Sequence, residues 1–250
     1  MKAGIIGFGN LGRALAAGLI KSGCAGPGDI FVCENAPEVR SLAEKAPYSA
    51  RASGDVNYVI SETDVIFLTV KSYVFEEISP SIDRGLLAGK TVVSFMAGVP
   101  FDKIFSLIGE VTLVRAMPSL AIASCDGVIG YTKAPDTVAD VFSKLGYAFE
   151  TEPESIEKVM AFSSCGLGFA AYLIDAFAAA GQLIGFTSET AARIAGITFR
   201  NAVERGGFRD TVKAVATPGG ATEQGILQMD ESGIYDIVAQ AMRKAYERMT

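Results

Sequence analysis

The chain has 250 residues, enough for one large domain or two smaller ones around a sizeable core, and half of it is hydrophobic. Its formal charge of −6 excludes a protein that tracks nucleic-acid phosphates, which needs a basic face. Histidine is absent, which removes the commonest general acid–base and the commonest metal ligand, and the four cysteines stand apart without CxxC spacing; no metal site is expected, and the thiols read as reduced in a cytoplasmic protein.

The opening MKAGIIG runs directly into an apolar strand, so no signal peptide is expected ahead of the fold. KAGIIG is followed by a helical pattern over residues 10–22, DIFVCE by APEVRSLAEKA, and a short YSARA by DVNYVISET. DVIFLTV has the strongest buried-strand pattern in the chain. A helical stretch over residues 73–84 comes next, then KTVVSFMAG, VPFDKIFSLI, VTLVRAMP and DGVIGYT. A helix over residues 137–145 and a strand over 147–150 close the series. Short β-branched runs between amphipathic helices predict parallel strands covered on both faces. Residues 1–151 are therefore expected to form a doubly wound, Rossmann-type α/β domain that binds a dinucleotide.

Around ETEPESIEKV the alternation stops. Pro153 suits the first turn of a helix, and Ser155 and the surrounding glutamates favour a helix N-terminus. Helical patterns follow over residues 154–164, 168–185, 188–205, 209–216, 221–230 and 234–248, so residues 152–250 read as an all-helical domain. Its stretch CGLGFAAYLIDAFAAAGQLIGF carries one formal charge, Asp175. The length would span a membrane. The Gly and Ala content, the lack of basic flanks and the acid at its middle point instead to a helix buried by its own domain and by a second subunit. The helical domain is thus expected to make a homodimer or larger homo-oligomer, with no membrane and no nucleic acid as partner.

Two glycine-rich turns carry the chemistry. In the first, GIIGFGNLG, the residues Gly7, Gly9 and Gly12 form GxGxxG around Asn10 and Leu11, between an apolar strand and a helix. Gly7 permits a tight turn, Gly9 lets the backbone approach a pyrophosphate, Gly12 allows close helix–strand packing, and the helix N-terminus offers N–H groups to the anion. The second predicted strand ends in Glu34, whose carboxylate suits ribose hydroxyls and repels a 2′-phosphate. That favours NADH over NADPH. In the second turn, ATPGGATEQG, Pro218 fixes one backbone angle, while Gly219 and Gly220 allow a turn that aims N–H groups outward from the helix that follows. Such a nest suits a carboxylate.

Taken in order, GIIGFGNLG, DVIFLTVKSY, VVSFMAGV, LVRAMP and VKAVATPGGATEQGI resemble pyrroline-5-carboxylate reductase, along nearly the whole chain. The most specific piece is TPGGAT, residues 217–222, which matches the family's signature position by position. The resemblance implies NAD(P)H-dependent reduction of 1-pyrroline-5-carboxylate to L-proline, the last step of proline biosynthesis. It implies that Thr217, Gly219, Gly220, Ala221 and Thr222 bind the substrate, with Thr222 by the ring nitrogen as the catalytic hydroxyl. It also assigns Lys71, Ala97, Gly98, Met117 and Pro118 to the cofactor and Ser163 to the substrate, and puts Arg115 nearby as a catalytic or structural cation.

The chain departs from the family at two cleft segments. Ser119, Leu120 and Ala121 follow Arg-x-Met-Pro where the family continues with Asn and Thr-Pro, and SSCGLGFA stands in place of Ser-Gly-Ser-Gly-Pro-Ala. These leave open a reductase of a related cyclic imine, or a catalytically silent member that senses cofactor or an amino acid. A β-hydroxyacid dehydrogenase is disfavoured, because residues 166–182 hold no lysine.

Overall fold

Eight strands alternate with helices from the first residues onward, and the computed structural model describes residues 1–249. In chain order these are β1 (Ala3–Ile6), α1 (Asn10–Lys21), β2 (Ile30–Cys33), α2 (Pro37–Glu44), β3 (Arg51–Ser53), α3 (Val56–Glu62), β4 (Val65–Leu68) and α4 (Ser72–Ile78). Then come β5 (Thr91–Ser94), α5 (Phe101–Ile108), β6 (Thr112–Pro118), β7 (Gly127–Tyr131), α6 (Asp136–Leu145) and β8 (Gly146–Glu150). The strands lie in the order β3-β2-β1-β4-β5-β6-β7-β8.

The uniformly parallel sheet expected from the sequence is interrupted once, because β6 and β7 pair antiparallel while the other neighbours run parallel. Only residues 119–126 separate them, most of them in the 3₁₀ turn Leu120–Ser124, too little chain for the crossover that parallel neighbours need. The helical stretch expected to reach residue 84 also ends early, at Ile78. Pro80 enters a 3₁₀ turn there and cannot donate to the helix ladder.

Both faces of the sheet are covered, as continuously apolar strands require. On one face Leu15 and Leu19 of α1, Ala43 of α2 and Phe142 and Leu145 of α6 pack on Ile5, Val32 and Phe67. On the other, Val59 and Ile60 of α3, Phe75 of α4 and Ile104 and Ile108 of α5 pack on Ile6, Phe31 and Ile66.

After β8 the chain stays with the sheet. Pro153–Ser155 forms a 3₁₀ turn that leads into α7 (Ile156–Val159), and Ile156 and Val159 pack with Met117, Ala97 and Phe149. One widened π-helical turn, Met160–Ser164, follows. By its contacts the first compact unit runs to Ser164 and takes in the residues from Tyr246 onward; the second is Cys165–Ala245. The helical run does not break between residues 164 and 168 but continues as α8 (Cys165–Leu183), because a helix tolerates Gly166 at a cost of about 1 kcal/mol.

The second unit contains α8, α9 (Ser188–Arg205), α10 (Phe208–Val215), α11 (Ala221–Glu231) and, up to Ala245, α12 (Ile234–Glu247). Thr187 caps α9 by accepting the N–H of Thr190. Small residues let α8 and α9 approach: Ala178, Ala191 and Ala195 are buried, and a Cβ added at Gly181 would lie 3.2 Å from that of Ala191. Phe177 and Phe199 meet edge-to-face beside them, with centroids 5.6 Å apart. Little else in this unit is covered. Ala178 is the one buried residue of α8 among those described, and Leu183 is 89% exposed.

Candidate functional site

The strand order reverses between β1 and β4, and in such sheets ligands bind in the crevice beyond the carboxyl ends of the strands at that point. A cleft of about 570 Å³ opens there. The predicted residues Gly7, Gly9, Asn10 and Leu11 line it, as do Glu34, Lys71 and Ala97.

The three glycines of the first turn have three different reasons to lack a side chain. Gly7 has φ +94°, and a Cβ there would meet Val70 Cγ1 at 2.6 Å. A Cβ on Gly12 would meet the carbonyl oxygen of Gly7 at 2.3 Å, so this residue belongs to helix–strand packing and not to the cleft wall. Around Gly9 nothing stands within 4 Å, and as N-cap of α1 it brings no side chain to cover the helix end. Open space over an uncapped helix N-terminus is what a pyrophosphate needs, so the residues present fit a dinucleotide. Thr69, at the end of β4, ties the turn down by donating its hydroxyl to the Gly7 and Ile6 carbonyls.

Glu34 is more constrained than a strand-end acid need be. One carboxylate oxygen accepts the N–H of Phe8, from the glycine turn itself, at 3.0 Å; the other accepts those of Asn35 and Ala36. Negative charge is thus fixed at the cleft wall. Arg40 lies behind this corner, where its Nη1 donates to the Glu34 and Asn35 carbonyls. Next to Glu34, burial pushes the Cys33 thiol up to about 11, with the neighbouring Glu34 and Asp55 charges adding to the shift, so this cleft-lining thiol is neutral and unreactive near pH 7.

Other predicted residues lie elsewhere. Gly98 is exposed in the turn after β5 at φ +64°; Met117 and Pro118 are buried in β6 and are not in the cleft wall. Met117 packs beneath Ala97 instead. Arg115 is 4% exposed and ion-paired to Glu157 within the first unit, a structural cation by its surroundings. Ser163 lies in the π-helical turn and donates to the Val159 carbonyl. Ser119 is buried and its hydroxyl accepts the Val128 N–H, while Leu120 lines the cleft with Phe95, Met96 and Met160. Periodicity could not pick out Met160, because it arrives from beyond the last strand.

The second turn is in the second unit. Gly219 has φ +71°, Gly220 is the N-cap of α11 without a side-chain cap, and a Cβ on Gly220 would meet Thr217 Oγ1 at 2.4 Å. The Gly220 N–H donates to the Thr217 carbonyl, closing the turn. The Gly219 N–H donates to the carboxylate of Glu223 at 2.7 Å, so this nest already receives a carboxylate from its own helix. Ala221 and Thr222 are exposed in the first turn of α11.

Two family models match the chain. Residues 2–98 match that for NADP oxidoreductase, coenzyme F420-dependent, and residues 153–250 match that for pyrroline-5-carboxylate reductase dimerisation. The pyrroline-5-carboxylate reductase of Aquifex aeolicus is 27% identical over 99% of this chain and 96% of its own length, and that of Methanosarcina acetivorans is 28% identical over the same shares. Along nearly its whole length the chain is thus similar to pyrroline-5-carboxylate reductases. The fold agrees: the crystal structure of Plasmodium falciparum pyrroline carboxylate reductase with NADP bound superposes with a TM-score of 0.89 at 21% identity, covering 100% of this chain and 97% of that one. The family's dimerisation region thus begins within three residues of the end of β8, and it includes the TPGGAT turn.

Proposed function

We propose that the protein reduces 1-pyrroline-5-carboxylate to L-proline with a reduced nicotinamide dinucleotide, the last step of proline biosynthesis, as a cytoplasmic homodimer or larger homo-oligomer. The observation that carries the reading is the TPGGAT turn: Gly219 at φ +71° and Gly220 as N-cap of α11 build a nest whose Gly219 N–H takes a carboxylate, that of Glu223, inside the region that matches the family's dimerisation model. Two anions have to be held, and the uncapped glycine starts of α1 and α11 suit them.

When bound, the dinucleotide supplies the hydride that adds to the imine carbon. The chain's own residues bind and orient. Gly9 and the first turn of α1 receive the pyrophosphate, and Lys71 adds a cation at the cleft edge. Glu34, its carboxylate held by three backbone N–H groups, accepts ribose hydroxyls and opposes a 2′-phosphate, which favours NADH. Gly219, Gly220 and Ala221 hold the substrate carboxylate, with Thr217 as a further contact. The Thr222 hydroxyl stands at the ring nitrogen, where it passes a proton in a chain that has no histidine.

The test is loss of reduced-nicotinamide absorbance when the protein meets 1-pyrroline-5-carboxylate, with NADH and NADPH in parallel. Turnover with NADH faster than with NADPH supports both parts of the reading; a faster rate with NADPH overturns the role given to Glu34. Thr222→Ala is expected to lower kcat by about 10²-fold with the fold intact, and an unchanged kcat removes that hydroxyl from the mechanism. One observation favours a second reading. Leu120, and not the buried Ser119, faces the cleft, an apolar wall that suits a related cyclic imine with its acid group placed elsewhere. Turnover of a six-membered cyclic imine in the same assay, without turnover of the pyrroline, would select it.

A further inference from the structure

Within the first unit one buried ion pair joins three stretches of chain that the proposed reaction has not used. Arg115 projects from the middle of β6, and its Nη2 donates to Oε1 of Glu157 on α7. The same oxygen accepts the N–H of Gly98, at 3.3 Å, from the turn after β5. That turn is confined from another side as well, since a Cβ on Gly98 would lie 2.8 Å from the Met249 carbonyl oxygen. Its other residue, Ala97, faces the cleft and packs with Met117, Ile156 and Val159. Helix α7 therefore grips one short turn twice, through apolar contact at Ala97 and through a carboxylate at Gly98.

This pair is a poor device for stability. Taking both charges out of water costs more than a well-packed apolar pair would, and Arg115 Nε is buried without a hydrogen-bond partner among the described residues. What the pair does fix is position. With the pyrophosphate at the start of α1 and the adenosine ribose at Glu34 on the β2 side, the remaining half of a dinucleotide extends to the β4–β5 side, where Ala97 lines the cleft.

We propose that Glu157, itself held by Arg115, is a positioning residue that fixes the Ala97–Gly98 turn as the wall against which the nicotinamide end of the cofactor binds; this rests on the cofactor reading given above. ADP-ribose, which lacks the nicotinamide ring, separates this role from a general structural one. Titration calorimetry of NADH and of ADP-ribose against wild type, Glu157→Ala, Glu157→Gln and the double variant Arg115→Met/Glu157→Met reads both ends of the site, with thermal melting as the control for fold. The double variant carries the test if Glu157→Ala fails to fold, because replacing both members of a buried pair by apolar residues avoids a stranded charge.

The expected result is NADH affinity lowered about tenfold by Glu157→Ala and by the double variant, with ADP-ribose affinity changed less than about twofold. Glu157→Gln, which keeps an oxygen for the Gly98 N–H, should retain most of the NADH affinity. Equal weakening of both ligands, or no change in either, overturns the proposal and leaves the cofactor reading standing. Wild type that binds neither ligand overturns the cofactor reading, and this one with it.

Discussion

Two glycines three positions apart in the first turn answer to different forces, and substitution should separate them. A methyl on Gly12 would be driven to 2.3 Å from the Gly7 carbonyl, which is backbone and cannot swing aside. Gly12→Ala should therefore lose about 1–3 kcal/mol in urea denaturation. A methyl on Gly9 meets nothing within 4 Å, so Gly9→Ala should change stability by less than about 0.5 kcal/mol while weakening NADH about tenfold by calorimetry. If Gly9→Ala left NADH affinity unchanged, the pyrophosphate would not approach there. The spacing of the turn was legible because glycine, strand and helix all announce themselves locally. The separate duties of its glycines were not, since each depends on an atom brought in by folding. Glu34 makes the same point: its place at the end of β2 follows from the pattern, but its bond to the Phe8 N–H spans 26 residues and leaves no local trace.

At the scale of elements, periodicity indicated which segments are strands and which are helices, because burial on one stripe or two faces selects residue types along the chain. It could not supply strand direction. β7 runs against β6 because the intervening turn is short, a fact of connection and not of pattern. The end of α4 is written in Pro80, but the apolar stripe continues past that residue and masks it. Where helix meets helix, the decisive property is smallness, which composition reveals only as abundant Ala and Gly. Ala195 of α9 is fully buried against α8, so Ala195→Leu should overpack the contact and cost about 1–3 kcal/mol. Glycine-induced looseness at Gly181 would absorb the extra methyls if the two helices could slide. An Ala195→Leu variant as stable as wild type in urea would show that they do.

For the whole molecule the question is what covers the second unit. The helical run over Pro153–Leu183 is long and apolar enough to cross a membrane by length and composition, and only 6% of its most apolar window is buried in one chain. The proposed interface with a second copy would account for that exposure, and the match of residues 153–250 to a dimerisation model supports the proposal. Asp175 at mid-helix is tolerable in such an interface and costly in lipid. Leu183, 89% exposed at the end of α8, offers the test, because a glutamate there removes no contact within the chain. Light scattering should give wild type a mass of at least twice that of the chain. Leu183→Glu should shift it toward monomer with its helix content unchanged by circular dichroism. A wild type that is monomeric in solution and sediments with lipid vesicles would reverse the assignment. The apolar face of α8 would then meet lipid, and the oligomer would have to be sought on another face of the helical unit.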